Sequence, residues 1–187
     1  MKILVLDNYD SFTYNLVHIL RANGYEPAVH RNNKIDLQTV KHFDKILLSP
    51  GPGIPEEAGI MKQLIQEYGP TKSMLGICLG HQGIAEVYGA ALFNIPNVLH
   101  GVTSTASVLE PDYLFENVPT AFQATHYHSW AVLPESVPSQ LKVTAVNEAG
   151  LIMALTHTRF DVKGLQFHPE SIMTPEGPKM ILNWLKH

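Results

Sequence analysis

The chain has only one cysteine among its 187 residues. One thiol excludes an internal disulfide framework, and the lack of disulfides is typical of a protein in a reducing compartment. Charged residues make up only 16% of the sequence, and the net charge is −4 at pH 7, whereas about 25% charged residues is usual. No basic run is present, so we expect no nucleic-acid ligand. The low charge indicates a surface partly covered by a partner.

Long apolar runs are missing as well. The apolar start of the chain is interrupted at Asp7, and no stretch approaches the roughly 18 residues that a membrane span needs. We therefore expect a cytoplasmic, soluble protein with no membrane contact. No repeat, low-complexity tract or linker divides the sequence, so residues 1–187 are predicted to form one domain.

The first half of the chain alternates between strand and helix patterns. Runs that suit strands lie at residues 3–6, 26–31, 45–49 and 73–77, with helical spacing of apolar residues between them, and the run at 3–6 is continuously apolar, as in a buried parallel strand. This alternation predicts an α/β fold with a largely parallel sheet. Functional sites in such folds lie beyond the carboxyl ends of the strands.

After Gly89 the pattern changes. Strand-like runs separated by Pro, Asn and Gly lie at residues 98–110, 127–133, 142–146, 151–156 and 162–167. We expect them to form hairpins that extend or cover the same sheet. A last helix is predicted from Pro175 to the C-terminus, with an apolar stripe that includes Met180 and Trp184.

The single cysteine lies between two glycines. Cys78 follows the 73–77 strand pattern and precedes a helical pattern, with Gly76 and Gly80 two residues to either side. A nucleophile between such glycines is typical of a sharp strand-to-helix turn. At a helix N-terminus the thiol faces free N–H groups and the positive end of the helix dipole, which favours the thiolate. Cys78 is therefore a candidate nucleophile.

A base and an orienting group follow another strand pattern. His168 and Glu170 flank Pro169, which favours an extended conformation at the histidine. Residues two apart in extended chain face the same way, so the carboxylate can fix the imidazole while its other nitrogen faces Cys78. For the oxyanion of an acyl transfer, the backbone N–H groups of Leu79 and Gly53 are the candidate donors.

Two further histidines could suggest a metal site. His126 and His128 lie on one face of a predicted strand, but no third cluster of ligands is spaced near them. We therefore expect no metal. These side chains are expected to line a pocket or to pack.

Four stretches, at residues 7–16, 49–53, 76–82 and 166–171, closely resemble those of the class I (triad) glutamine amidotransferases. Within that family the chain is similar to the small subunits of anthranilate synthase and aminodeoxychorismate synthase. The resemblance covers the chain end to end. It implies a flavodoxin-like, largely parallel open sheet with flanking helices and added β-hairpins.

The resemblance also implies an activity without a cofactor. Cys78 would attack the side-chain amide of L-glutamine, His168 would act as base and then as acid, and Glu170 would orient the imidazole. Ammonia would pass to a larger, chorismate-binding synthase subunit. The positions that match the family's glutamine-binding residues are Gly51, Gln82, Ser129 and Trp130, and the positions expected to face the large subunit are Asp10, Ser11 and Tyr14.

The sequence departs from the family at three positions. Trp130 stands where Leu is usual, His126 where Arg is frequent and Val102 where Lys is frequent. These changes are expected to affect the pocket rim or the partner surface and to leave the chemistry intact.

Three other functions compete with this interpretation. The first is a thiol hydrolase or amidase that works without a partner. The second is a flavodoxin-like binding module, although Asp7 and Asp10 would repel a phosphate after the first strand. The third is an inactive regulatory subunit, against which the complete triad argues. The sequence does not separate the tryptophan pathway from the folate pathway.

Overall fold

One sheet of nine strands, in the order β2-β1-β3-β4-β9-β8-β7-β5-β6, organises the chain. The computed structural model describes residues 1–187 apart from the side chain of Asn97. The strands are β1 (Ile3–Asp7), β2 (Ala28–Arg31), β3 (Lys45–Leu48), β4 (Ser73–Ile77), β5 (Leu92–Val108), β6 (Ala121–Val132), β7 (Leu141–Asn147), β8 (Ile152–His157) and β9 (Val162–Leu165). The helices are α1 (Thr13–Ala22), α2 (Met61–Tyr68), α3 (Leu79–Val87) and α4 (Gly177–Lys186). None of these helices is both long enough and apolar enough to cross a membrane.

Five strands, from β2 through β9 in the sheet order, are parallel and form the first half of the sheet. Alternate side chains of β1 enter two different cores: Val5 packs with α1 and α4, and Leu4 packs with α2 and α3. Because both faces are covered, the strand is apolar throughout, as parallel sheets require. The predicted α/β fold with a largely parallel sheet is confirmed.

The remaining strands, β8, β7, β5 and β6, are antiparallel. β9 forms the seam, since it runs parallel to β4 and antiparallel to β8. β5 pairs with β6 along most of its length but reaches β7 only through Ala106, Ser107 and Val108. The rest of the β5–β6 ribbon therefore extends past the sheet toward the ends of β4 and β9.

Several element boundaries differ from the predicted ones. α4 begins at Gly177, two residues after its predicted start at Pro175. Residues 37–42 form a 3₁₀ helix. β5 and β6 each start six residues earlier than predicted. In β5 the turn-type residues Asn94 and Pro96 interrupt the strand pattern.

Candidate active site

Cys78 occupies a strained turn between β4 and α3. Its backbone has φ 51° and ψ −99°, a combination that L-residues rarely adopt. Two hydrogen bonds hold it there: its N–H donates to the Leu165 carbonyl at 2.8 Å, and its carbonyl accepts from the Gln82 N–H at 3.0 Å. The cysteine is only 4% exposed. The turn thus presents one nearly buried thiol at the first turn of a helix.

The two flanking glycines are required by close packing. A Cβ on Gly76 would lie 2.5 Å from the carbonyl carbon of Gly80, and a Cβ on Gly80 would lie 2.6 Å from the Leu48 carbonyl oxygen. Both contacts are with backbone, which has little freedom to move. Because neither glycine carries a Cβ, α3 can rest directly on the ends of β3 and β4, and the turn can be this sharp.

His168 and Glu170 follow β9 and lie side by side. The Nδ1 of His168 is 2.6 Å from Glu170 Oε1, and the two side chains are 2% and 0% exposed. Because the carboxylate can only accept, Nδ1 carries the proton and Nε2 remains for the sulfur. The His168 N–H donates to the Thr125 carbonyl at 3.0 Å, which ties the loop after β9 to β6.

The charge state of His168 follows from its neighbours. Burial by itself lowers the pKa of this imidazole, but the interactions with Cys78 and Glu170 outweigh burial and raise the pKa to about 10. His168 is therefore an imidazolium at neutral pH. Within the described residues, Nε2 makes no hydrogen bond of ordinary geometry, so its pairing with the sulfur depends on proximity and charge.

Aromatic rings cover the imidazole. The ring centroids of Phe12 and Tyr127 lie 5.6 Å and 5.1 Å from that of His168, both in edge-to-face geometry. The two rings also contact each other at 5.0 Å. They limit the access of water to the imidazole, which strengthens its interactions with the sulfur and the carboxylate.

A cleft of about 210 Å³ opens onto the thiol. Its lining brings together most of the predicted site residues: Gly51, Gly53, Cys78, Gln82, Ser129 and Trp130, with Pro52, Val98, His100, Tyr127 and His128 completing it. Leu79 lines a neighbouring cavity of about 410 Å³ on the other side of the 50–53 loop. A larger cavity of about 680 Å³, beside the end of β5, contains none of the candidate residues.

Of the two candidate oxyanion donors, Gly53 lines both the cleft and the neighbouring cavity, whereas Leu79 lines only the cavity. Asn8 fixes the start of the loop, since its N–H donates to Ser49 Oγ and its Nδ2 to the Ser49 carbonyl, both at 2.8 Å. Gly53 has φ 72°, a conformation that favours glycine. Leu79 is the first residue of α3, where N–H groups have no intrahelical acceptor. No hydrogen bond among the described residues uses the N–H of Gly53 or Leu79.

Gln82 connects the helix to the cleft wall. Its Nε2 donates to the Trp130 carbonyl at 2.9 Å and to Gln166 Oε1 at 3.2 Å, so both amide hydrogens are used. Its Oε1 remains available as an acceptor. Ser129 lies where the β5–β6 register shifts, between the pairs at Trp130 and His128. Such an irregularity leaves backbone groups free for a ligand.

His126 and His128 form part of a buried polar chain. Ser104 Oγ lies 2.6 Å from His126 Nε2, His126 Nδ1 lies 3.2 Å from His128 Nε2, and His128 Nδ1 lies 2.8 Å from the Trp130 carbonyl. Burial is the main cause that lowers the pKa of each histidine to about 4. Both rings are therefore uncharged at neutral pH. Because the Trp130 carbonyl at one end can only accept, it determines which ring nitrogen of each histidine carries the proton.

The described residues contain no group of three or more His, Cys, Asp or Glu side chains arranged to hold a metal ion. The ring nitrogens of His126 and His128 are instead used in the polar chain.

The residues expected to face a partner lie at the edge of this site. Tyr14 is 63% exposed, Ser11 is exposed and Asp10 is half-buried. They surround Phe12, which contacts His168. The predicted partner surface therefore adjoins the base.

Sequence reasoning did not connect three residues with Cys78 and His168 that the structure places beside them. Gln166 lies 3.7 Å from the sulfur through its Nε2, and Phe12 and Tyr127 cover the base. Gln166 and His168 are two residues apart after one strand, which was an available signal. No sequence signal links Tyr127 to Phe12.

Comparison with known proteins identifies the family. The family described as "Glutamine amidotransferase class-I" matches residues 4–187. The chain belongs to the class I glutamine amidotransferases. This membership confirms the resemblance carried by the four sequence stretches.

Curated relatives of this family are similar over nearly the whole chain. Anthranilate synthase component 2 of Mycobacterium tuberculosis is 44% identical over 99% of this chain and 82% of its own length. Aminodeoxychorismate/anthranilate synthase component 2 of Bacillus subtilis is 43% identical over 98% of this chain and 95% of its own length. A solved glutamine amidotransferase from Thermotoga maritima superposes with a TM-score of 0.80 at 16% identity, over 100% of this chain and 96% of that one. That last likeness concerns the fold alone.

Proposed function

We propose that this chain is the glutaminase subunit of a chorismate-using synthase and that residues 1–187 act as one amidotransferase domain. The observation that carries the proposal is the arrangement of Cys78, His168 and Glu170 at one edge of the sheet, with the thiol in a strained turn and the imidazole charged. The names of the relatives, anthranilate and aminodeoxychorismate synthase component 2, point to the same role.

The first half of the reaction forms a thioester. The Cys78 sulfur attacks the side-chain amide carbon of glutamine, and the oxyanion that develops accepts from the N–H groups of Gly53 and Leu79. His168, already protonated, gives its proton to the departing nitrogen, which leaves as ammonia. Glu170 keeps the imidazole in place.

The second half regenerates the enzyme. His168, now neutral, takes a proton from water, which attacks the thioester carbon and expels the sulfur, so that glutamate is released. In the cleft, the free Oε1 of Gln82 can accept from an N–H of glutamine. Gly51 and the backbone of Ser129 and Trp130 supply the remaining contacts.

The partner side of the proposal follows from the chemistry of ammonia. Ammonia in bulk water at neutral pH becomes ammonium, which has no lone pair, so it must be delivered directly. We place the large, chorismate-binding subunit against Asp10, Ser11 and Tyr14, next to the base. One cysteine and no disulfide fit a cytoplasmic enzyme.

The test combines this chain with chorismate-using large subunits of both kinds. Glutamate release should be slow for the isolated chain and should rise with the partner, and anthranilate or aminodeoxychorismate should appear with glutamine as nitrogen donor. The Cys78→Ser variant should abolish glutamine-driven synthesis, by a factor of at least about 10⁴, and leave ammonia-driven synthesis intact.

Two results would contradict the proposal, and one would show that the Cys78→Ser variant damages the complex instead of testing catalysis. Equal glutamate release with and without the partner argues against coupling. Loss of ammonia-driven synthesis in Cys78→Ser places the damage in assembly. Turnover of esters or peptides without a preference for glutamine supports the thiol hydrolase instead.

A further inference from the structure

The proposed reaction gives no task to Gln166, although its side chain contacts the reacting sulfur. Gln166 is fully buried, and its Nε2 lies 3.7 Å from Cys78 Sγ. A carboxamide has a donor end and an acceptor end, and these would affect a sulfur anion in opposite ways. The orientation of this amide therefore decides what it does.

The orientation follows from a backbone carbonyl. The Trp130 carbonyl can only accept, so the Gln82 group 2.9 Å from it is the NH₂ end. That same NH₂ lies 3.2 Å from one end of Gln166, which must then be the oxygen. The NH₂ end of Gln166 is left facing the sulfur.

The reverse orientation is opposed at the Trp130 carbonyl. A flipped Gln82 would place its oxygen against the Trp130 carbonyl, and a flipped Gln166 would then be needed as well. His128 Nδ1 donates to the same carbonyl at 2.8 Å and helps to hold it in place. The donor and acceptor ends of the Gln82 and Gln166 amides are thereby fixed, starting from the Trp130 carbonyl.

We propose that Gln166 is a further catalytic residue, whose side-chain N–H donates to Cys78 Sγ and stabilises negative charge on the sulfur. The inference deepens the proposed glutaminase function and rests on it. The donor stabilises the anionic sulfur at the moment of attack and again when water expels the sulfur from the thioester. A bond to a charged sulfur is stronger than one between neutral groups.

Other titratable groups also face this region, and a test must leave them unchanged. His168 and Glu170 follow β9, Tyr127 and His128 lie on β6, and His100 lies on β5. Replacing Gln166 by Met keeps all five and nearly preserves side-chain size. It removes only the amide.

The experiment measures alkylation of the free chain by iodoacetamide at pH 7 and pH 9, together with kcat and KM for glutamine in the complex with the large subunit. Because Cys78 is the only thiol, the alkylation rate reports this site alone. Gln166→Met should alkylate roughly 10-fold more slowly at pH 7, with a smaller deficit at pH 9, and should lower kcat roughly 10-fold. The control Gln66→Met, on the exposed face of α2, should match the wild type.

One result would overturn the inference. If Gln166 only supports Gln82, the Gln166→Met variant will alkylate at the wild-type rate and will raise KM with kcat unchanged, as Gln82→Met should. Should Gln166→Met fail to fold, Gln166→Glu keeps the size and replaces the donor by an oxygen, and it must show slower alkylation. Alkylation needs no glutamine turnover, so a wild type that releases no glutamate refutes the proposed function without deciding the role of Gln166.

Discussion

The two halves of the sheet contribute different things to the site. The parallel half supplies the thiol and the candidate oxyanion donors, at turns where backbone packs against backbone around Gly76 and Gly80. The antiparallel half supplies the cleft wall through β6, where the Trp130 carbonyl accepts hydrogen bonds from His128 and from Gln82. The thiol is thus positioned by close packing, whereas the cleft wall is positioned by a polar network.

Because of this difference, the two halves should tolerate different kinds of substitution. Backbone contacts at 2.5–2.6 Å from an added Cβ cannot relax without moving a helix or strand. A polar network can lose one member and keep its backbone, although an unpaired buried group then remains. Substitutions in the two halves should therefore fail in different ways, by loss of folding in one and by loss of binding or pH tolerance in the other.

The largest expected effect contrasts two glycines, one from each half. Gly80→Ala should lower the free energy of unfolding by about 3 kcal/mol and strongly reduce glutaminase activity, because the new Cβ meets the Leu48 backbone and displaces α3. Gly101→Ala should cost only about 1 kcal/mol, since it has a positive φ of 67° but its Cβ would lie 3.7 Å from the Tyr127 ring.

Urea unfolding followed by circular dichroism measures both costs, and glutamate release measures activity. A Gly101→Ala variant that is less stable than Gly80→Ala would break the comparison, because it would show that the antiparallel half is as tightly packed as the turn.

The second prediction concerns acid. Burial, the largest cause in each case, lowers the pKa of His81 to about 3 and of His126 and His128 to about 4. Between about pH 6.5 and those values the unfolded chain binds more protons than the folded one. Stability should therefore fall as the pH drops below 6.5, by about 1 kcal/mol per histidine for each pH unit.

The contribution of His168 to stability depends on pH in the opposite direction, because the pKa of this imidazole is raised to about 10. Its contribution is complete below about pH 6.5 and is lost as the pH rises toward 10. Stability should thus be greatest near pH 6.5. Urea titrations from pH 4 to 9 check both slopes, and His126→Gln should reduce the acid slope by about one proton. An unchanged acid slope in that variant would mean that His126 does not titrate as a buried neutral group.

The smallest expected effect is at Trp130. The contacts of this residue with Gln82 and His128 use its carbonyl, so Trp130→Leu should change KM for glutamine by less than about threefold. Steady-state kinetics of the complex measure the change. A tenfold rise in KM would show that the indole itself contacts glutamine, and the cleft wall would then depend on side chains more than its hydrogen bonds indicate.

The strands of the parallel half could be predicted from sequence more accurately than those of the antiparallel half. Strands covered on both faces are continuous apolar runs, so β1, β3 and β4 were predicted within about one residue, and the Cys78 turn followed from its glycines. The early residues of β5 and β6 are mixed in character, and their pairing is long-range. Their boundaries could not be read from local periodicity.

The polar network was the least predictable part. Gln82 and Trp130 are 48 residues apart, and Gln82 and Gln166 are 84 apart. The direction of each amide follows only once the carbonyl is placed beside it. Local sequence could suggest that Gln166 faces the same way as His168, but it could not indicate that Cys78 lies 3.7 Å from its nitrogen.

The position of β9 at the seam has a consequence for dividing the chain. A cut between Gly89 and the start of β5 leaves the sulfur on one fragment and the imidazole on the other, and it removes from β4 the strand that the Cys78 N–H binds through Leu165. Neither fragment could turn over glutamine alone. Activity recovered by mixing the two fragments would report that β4 and β9 have paired again. The chain is therefore suited to a split-enzyme complementation assay.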